Sequence, residues 1–262
     1  ARSVDHLLAL LPFEAPYFEK HGLATTFVGH PAVEADRQAA DPAAFRAAHG
    51  LAAASPVVCV LPGSRRGEVR RLAPVFAAAL QRLLRKFPDV RAVVPTVATV
   101  AAEVQALART WPAPTIVLTD QEEKAAAFAA CDVAMAASGT VAVELAVAGL
   151  ATVIAYRVSP LTAFVARRIV KLPYASLPNI LLGREVQPEL LQENCTPEKL
   201  AAALTHLLED PAARSAQVAA VGEAVKMLNP GGAPPSTRAA RIILGLIGAG
   251  KGRAERINMG QR

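Results

Sequence analysis

Five times in this chain a largely apolar run, uninterrupted at 57–61, gives way to a turn and then to a helix-like pattern. The runs are residues 57–61, 90–95, 115–118, 133–135 and 152–155. None alternates apolar with polar residues, so each reads as a strand covered on both faces. Helical patterns follow to about Lys86, over 99–110, over 121–130, after Thr140 and over 161–172. Strands alternating with helices at this spacing predict an α/β fold built on a doubly wound parallel sheet. Three further helices are expected over 197–209, 211–228 and 236–247, separated by Asn229-Pro230-Gly231-Gly232 and Pro234-Pro235.

Ahead of the first run lies a smaller pattern. Residues 7–11 read as a strand ending at Pro12, 14–21 as a short helix and 26–28 as another strand, closed by Gly29-His30-Pro31. Such a βαβ-sized piece is too small to hold a core alone. Residues 35–54 are Ala-rich, with Asp41-Pro42 as a helix start, and read as a connector. The chain opens on Ala1 and enters an apolar run almost at once. The expectation is therefore the later part of a longer protein.

The balance of residues narrows the possibilities. At 53% hydrophobic over 262 residues, the chain can bury a sizeable core and is not disordered. No apolar run reaches the roughly 18 residues of a membrane span. The net charge of +6 gathers at 65–71, 167–171 and 251–262. It suits phosphorylated substrates, nucleic acid or an anionic membrane without choosing among them. The few aromatic residues do not interleave with these clusters, which argues against base-stacking nucleic-acid platforms. Cys59, Cys131 and Cys195 show no metal-ligand spacing, and the first two sit in apolar segments as core residues. His30, held in a Gly-His-Pro turn, is the one histidine placed to face a cleft.

Three stretches carry candidate chemistry. In the first, Ser138, Gly139 and Thr140 form a small-residue turn between a strand and a helix. Such a turn presents backbone N–H groups and a positive helix end to an anion such as a diphosphate. Glu144, one turn further, can face the same pocket. An ordinary capped helix explains these residues equally well. In the second, Gly63, Ser64 and Arg65 follow a strand and open a helix. Gly63 lets a ligand approach the backbone, and Arg65 with Arg66 supplies charge for phosphate. A solvated arginine pair fits too, and neither a P-loop nor a dinucleotide fingerprint is present. In the third, residues 174–185 hold Asn179, Arg184 and Glu185 among apolar neighbours. They suit a ribose or base edge, or a helix cap with a local ion pair. Separately, the 161–172 helix is amphipathic, with Phe164 on its apolar side and Arg167, Arg168 and Lys171 opposite. It fits either a helix packed on the sheet or one meeting lipid headgroups.

Taken together, LPGSRRGEV (61–69), ASGTVAVELAVAGLATVIAYRVSPLTAFVARRIVK (137–171) and YASLPNILLGREVQPELLQENCTP (174–197) closely resemble lipid-A-disaccharide synthases. The resemblance runs over nearly the whole chain and includes Leu11–Glu14 and the Val-Gly-His-Pro of 28–31. It implies the GT-B architecture of two Rossmann-like domains facing a cleft. On that basis 1–50 is a remnant of the N-terminal acceptor-side domain with its connector. Residues 51–235 form the C-terminal nucleotide-sugar-binding domain, and 236–262 a closing helix and basic tail.

The resemblance also implies a hexosyltransferase. It moves 2,3-diacylglucosamine from its UDP donor to lipid X, the 1-phosphate of the same sugar, and releases UDP. Gly63, Ser64, Arg65, Ser138, Gly139, Thr140, Glu144, Asn179 and Glu185 would then surround UDP. No metal and no cofactor are expected, since helix ends and arginine can serve the diphosphate. The catalytic base is expected in the N-terminal domain and is assigned to no residue here. The acylated substrates imply peripheral association with the inner face of the cytoplasmic membrane, through Phe164, Arg167, Arg168 and Lys171. Such an enzyme has no nucleic-acid partner and is compatible with a homodimer. Two alternatives stand beside this one. The first is another UDP-sugar GT-B enzyme, a UDP-GlcNAc epimerase or glycan synthase. The second is a non-catalytic nucleotide-binding module.

Overall fold

The structure, a computed structural model, describes residues 4–34, 41–159, 162 and 173–259. It divides into two compact units, residues 1–34 with 226–262 and residues 35–225. The sequence alone placed the divisions at 50 and 235.

In the smaller unit, β1 (Leu7–Ala9) and β2 (Thr25–Phe27) pair in parallel across the short helix α1 (Ala15–Glu19). His30 is buried rather than open to a cleft: its Nδ1 accepts from the Ala32 N–H, and its own N–H donates to Leu228 O.

The larger unit opens with α2 (Pro42–Ala48). Asp41 caps it, accepting from the Ala43 and Ala44 N–H groups. Strands and helices then alternate as β3 (Val57–Leu61), α3 (Arg66–Leu84), β4 (Arg91–Pro95), α4 (Ala101–Ala108), β5 (Thr115–Leu118), α5 (Lys124–Ala130), β6 (Val133–Ala136), α6 (Thr140–Ala148) and β7 (Thr152–Tyr156). After residue 172 come α7 (Leu177–Leu182), β8 (Glu189–Leu191), α8 (Pro197–Glu209) and α9 (Pro211–Met227). The helix α10 (Pro235–Met259) belongs to the smaller unit.

Six strands form one parallel sheet in the order β5-β4-β3-β6-β7-β8. Its four inner strands, β4, β3, β6 and β7, are buried on both faces because successive side chains feed opposite cores, while the edge strands β5 and β8 are only half-buried. Val58 and Val60 of β3 join the layer beneath α3 and α8, with Leu72, Phe76 and Leu200. Val57, Cys59 and Leu61 join the other, with Phe45 of α2, Phe128 of α5 and Leu145 of α6. Phe45 thus draws the 42–48 segment, read as connector, into the larger unit. Cys59, Cys131 and Cys195 are all buried free thiols.

The sheet has one strand more than the apolar runs foretell. β8 is three residues long and begins on a glutamate, so it carries no pattern of its own; it exists through its parallel pairing with β7. The expected 161–172 helix, with Phe164, Arg167, Arg168 and Lys171, lies outside the described residues except for Thr162. Among the described residues, no helix is long and apolar enough to cross a membrane.

Candidate functional site

From β3 the chain moves outward to β4 and β5; from β6 it moves the opposite way to β7 and β8. The carboxyl ends of β3 and β6 therefore mark the point where the winding reverses. Such a point opens a crevice that doubly wound sheets use for ligands. Here it is a cavity of about 300 Å³. The turn after β3 contributes Gly63, Ser64, Arg65 and Glu68, and the turn after β6 contributes Ser138, Gly139, Thr140 and Glu144. Thr96, Gln121 and Lys124 complete the lining beyond the ends of β4 and β5.

Each turn depends on a glycine. Gly139 precedes α6 at φ 146° and ψ −161°, a region that side-chain-bearing residues enter only under strain. No side chain caps α6, so its positive end opens directly on the cavity. The Ser138 hydroxyl is not a cap; it donates to Ala175 O at 2.8 Å. Gly63 sits at φ +118°, and a Cβ there would lie 2.5 Å from Glu68 Oε2.

Glu68 is packed there because it organises the first turn. Its Oε2 accepts from the Ser64 and Arg65 N–H groups at 3.1 and 3.3 Å, and its Oε1 from Arg65 Nη1 at 3.0 Å. Glu68 thus supplies the half of a capping box in which the third helical residue reaches back to the backbone N–H of the cap; Arg65, a donor only, cannot return the bond. The Arg65 side chain stays 81% exposed and presents its guanidinium at the cavity mouth. Sequence reasoning took the arginine and overlooked the glutamate. The acidic residue three places after the helix cap was the available signal.

A second ion pair crosses the far wall. Lys124 Nζ lies 2.7 Å from Glu144 Oε2, with the side chains 24% and 32% exposed. The ammonium also stands 5.7 Å from the centre of the Phe128 ring. The charged residues lining the cavity are thus matched two by two: Arg65 with Glu68 and Lys124 with Glu144. Lys124 was not singled out from sequence, since nothing local marks a residue paired to a helix twenty positions on.

Asn179 and Glu185 do not line this cavity. Glu185 is exposed, and Arg184 pairs with Glu223 at 3.0 Å. Asn179 is fully buried with its amide committed. Its Nδ2 donates to Gln187 O and Glu189 Oε1 at 2.9 and 2.7 Å. Its Oδ1 accepts from the Val186 and Gln187 N–H groups at 2.8 and 3.0 Å. Glu189, which sequence reasoning missed, also accepts from the Ala175 and Ser176 N–H groups. Asn179 therefore reaches the cavity indirectly, through Glu189 and Ala175 to Ser138.

This arrangement defines a class: an α/β fold of GT-B type with a cavity at the switch point of its parallel sheet. The structure is similar to that of WaaG, a glycosyltransferase involved in lipopolysaccharide biosynthesis. The TM-score is 0.57 at 18% identity, covering 90% of this chain and 62% of that one. More particularly, the chain belongs to the lipid-A-disaccharide synthetase family, whose sequence model matches residues 1–233. It is 50% identical over 247 residues to the lipid-A-disaccharide synthase of Rhodospirillum centenum, covering 94% of this chain and 62% of that protein. It is 49% identical over 253 residues to that of Paramagnetospirillum magneticum, covering 96% and 65%. The chain thus spans less than two thirds of the length of either relative.

Proposed function

We propose that this chain supplies the UDP-donor-binding part of a lipid-A-disaccharide synthase. The observation that carries the reading is the switch-point cavity, where an uncapped α6 and the exposed Arg65 guanidinium converge behind two glycine turns. The reaction is the one implied by the resemblance to lipid-A-disaccharide synthases, a name that the relatives share.

In that reaction a hydroxyl oxygen of lipid X attacks the anomeric carbon of UDP-2,3-diacylglucosamine. The bond from that carbon to the diphosphate oxygen breaks, and UDP leaves with the electron pair. The hydroxyl proton passes to a base in the acceptor-side domain; no residue of this chain is given that part. The turn at Ser138, Gly139 and Thr140, with Arg65, takes up the charge that grows on the diphosphate. Donors already in place there stabilise the leaving group more than the bound substrate. Gly63 and Ser64 allow close approach of the phosphates, and Glu144 accepts from the ribose. Asn179 holds the 175–189 segment against Ser138, and Glu185 stands on the same segment.

In this reading residues 1–50 are the remainder of the acceptor-side domain, 51–235 the nucleotide-sugar domain and 236–262 the closing helix and tail. Because both substrates are acylated, the protein works at the inner face of the cytoplasmic membrane, as a peripheral enzyme that can pair as a homodimer. Phe164, Arg167, Arg168 and Lys171 provide the membrane contact.

Calorimetric titration with UDP tests the site. Arg65→Ala is expected to weaken binding about tenfold, the loss of one charge-assisted contact. Equal affinity in the two proteins overturns the placement.

A further inference from the structure

Resting on the reading of this cavity as a UDP site, we infer that Lys124 is a positioning residue that makes the site selective for a ribose bearing its 2′-hydroxyl. Lys124 is the first residue of α5, and Glu144 lies one turn into α6. The two helices come from successive strand–helix units, and both side chains line the cavity. The 2.7 Å contact uses one carboxylate oxygen, Oε2. Oε1 remains to accept a second donor, and a carboxylate accepts without donating.

Lys124 fixes the place of that oxygen: its ammonium holds the Glu144 side chain in one orientation, being itself held over the Phe128 ring. Phe128 is only 4% exposed, so this support is part of the core rather than a mobile surface group. A carboxylate fixed in this way, one turn from the helix end that receives the diphosphate, suits the hydroxyl pair of a ribose. A 2′-deoxy sugar leaves one lone pair of that oxygen without its donor, and sites built to bond a hydroxyl reject the analogue lacking it.

An ordinary interhelical ion pair has a different consequence. Its removal would cost a little stability and leave ligand choice unchanged. The distinguishing experiment titrates the chain calorimetrically with UDP, with 2′-deoxy-UDP and with inorganic pyrophosphate. The unsubstituted protein is expected to prefer UDP over its deoxy analogue about tenfold. Lys124→Met is expected to bring that ratio close to one, mostly by weakening UDP, while pyrophosphate affinity moves less than twofold. Lys124→Arg, which keeps the charge, is expected to restore most of the preference. Lys124→Met and Glu144→Gln together are expected to cost no more than Glu144→Gln alone.

The inference is overturned if Lys124→Met keeps the UDP preference. It is equally overturned if all three ligands weaken alike, which would make Lys124 a phosphate contact. A folded unsubstituted protein that binds no UDP at all would overturn the reading of the cavity, and this inference with it.

Discussion

Arg46 and Asp132 stand 86 positions apart in the chain and meet at 3.0 Å. The guanidinium does more than pair with the carboxylate. It also donates to the carbonyls of Ala52, Ser55 and Ala130, and Asp132 Oδ2 accepts from the Val57 N–H at 2.8 Å. One arginine on α2 therefore ties the entry to β3 to the entry to β6, the two strands whose far ends frame the cavity. Arg46→Ala removes every bond of the guanidinium and leaves Asp132, still bonded to the Val57 N–H, without its cation. The expected loss of unfolding free energy is about 2 kcal/mol, read as a lower urea midpoint at unchanged slope. A loss under about 0.5 kcal/mol would mean that water replaces the guanidinium without cost.

Gly63 is fixed by two separate demands, its positive φ and the Glu68 carboxylate packed where a Cβ would go. Gly63→Ala is expected to cost roughly 1–3 kcal/mol and to weaken UDP binding, since the Ser64 and Arg65 N–H groups must turn. Glu68→Gln, which preserves shape but loses the charge, is expected to cost about 1 kcal/mol. Thermal melts and UDP titrations of the two variants check both statements. A fully stable Gly63→Ala protein would contradict the close packing.

Asn179 can be exchanged for a residue of the same shape and the opposite virtue. Asn179→Asp keeps the acceptor but deletes the donor to Gln187 O and sets a second carboxylate against Glu189. Buried donors and acceptors left unmatched cost about 1–3 kcal/mol each. The variant is therefore expected to be markedly less stable at pH 7 and to recover in part at acidic pH, where the new carboxyl regains a proton. Denaturant curves at pH 5 and pH 7.5 measure this, and equal losses at both would rule out carboxylate repulsion as the cause.

Burial pushes the Cys131 thiol well above its ordinary value, with neighbouring Cys59 and Asp132 acting in the same direction. In the unfolded chain a thiol titrates near pH 8.5. Above about that pH the folded state holds a proton that the unfolded state has lost, so stability is retained below it and falls as the pH rises. Urea unfolding under reducing conditions at pH 7 and pH 9.5 is expected to show the drop, and Cys131→Ala to show a smaller one. An identical drop in the variant would assign the effect to another group.

The parallel sheet could be read from the chain because its evidence is local. Val57–Leu61 is apolar without interruption and Thr115–Leu118 apolar after its threonine, and the structure places β3 and β5 at those residues. The turns after β3 and β6 could be read for the same reason, since glycine between a strand and a helix has few other uses. The rest depended on partners distant in sequence. β8 has only its neighbour to define it. Glu68 is legible as a cap but not as the group filling the space beside Gly63. Lys124 and Glu144 become a pair only when α5 and α6 stand side by side, and Asn179, expected at the UDP pocket through the family resemblance, spends its amide on Glu189 and the 186–187 backbone.

The seam between β3 and β6 has a kinetic consequence. Val58 pairs with Val133 only after β4 and β5, with their helices, have been looped out between them. Closing so long a loop is entropically expensive, and parallel pairings of this kind form slowly compared with a helix or a hairpin. The cavity exists only where that seam has closed. In a refolding experiment, recovery of ligand binding is therefore a clock for the completion of the whole sheet, running behind the return of helical signal.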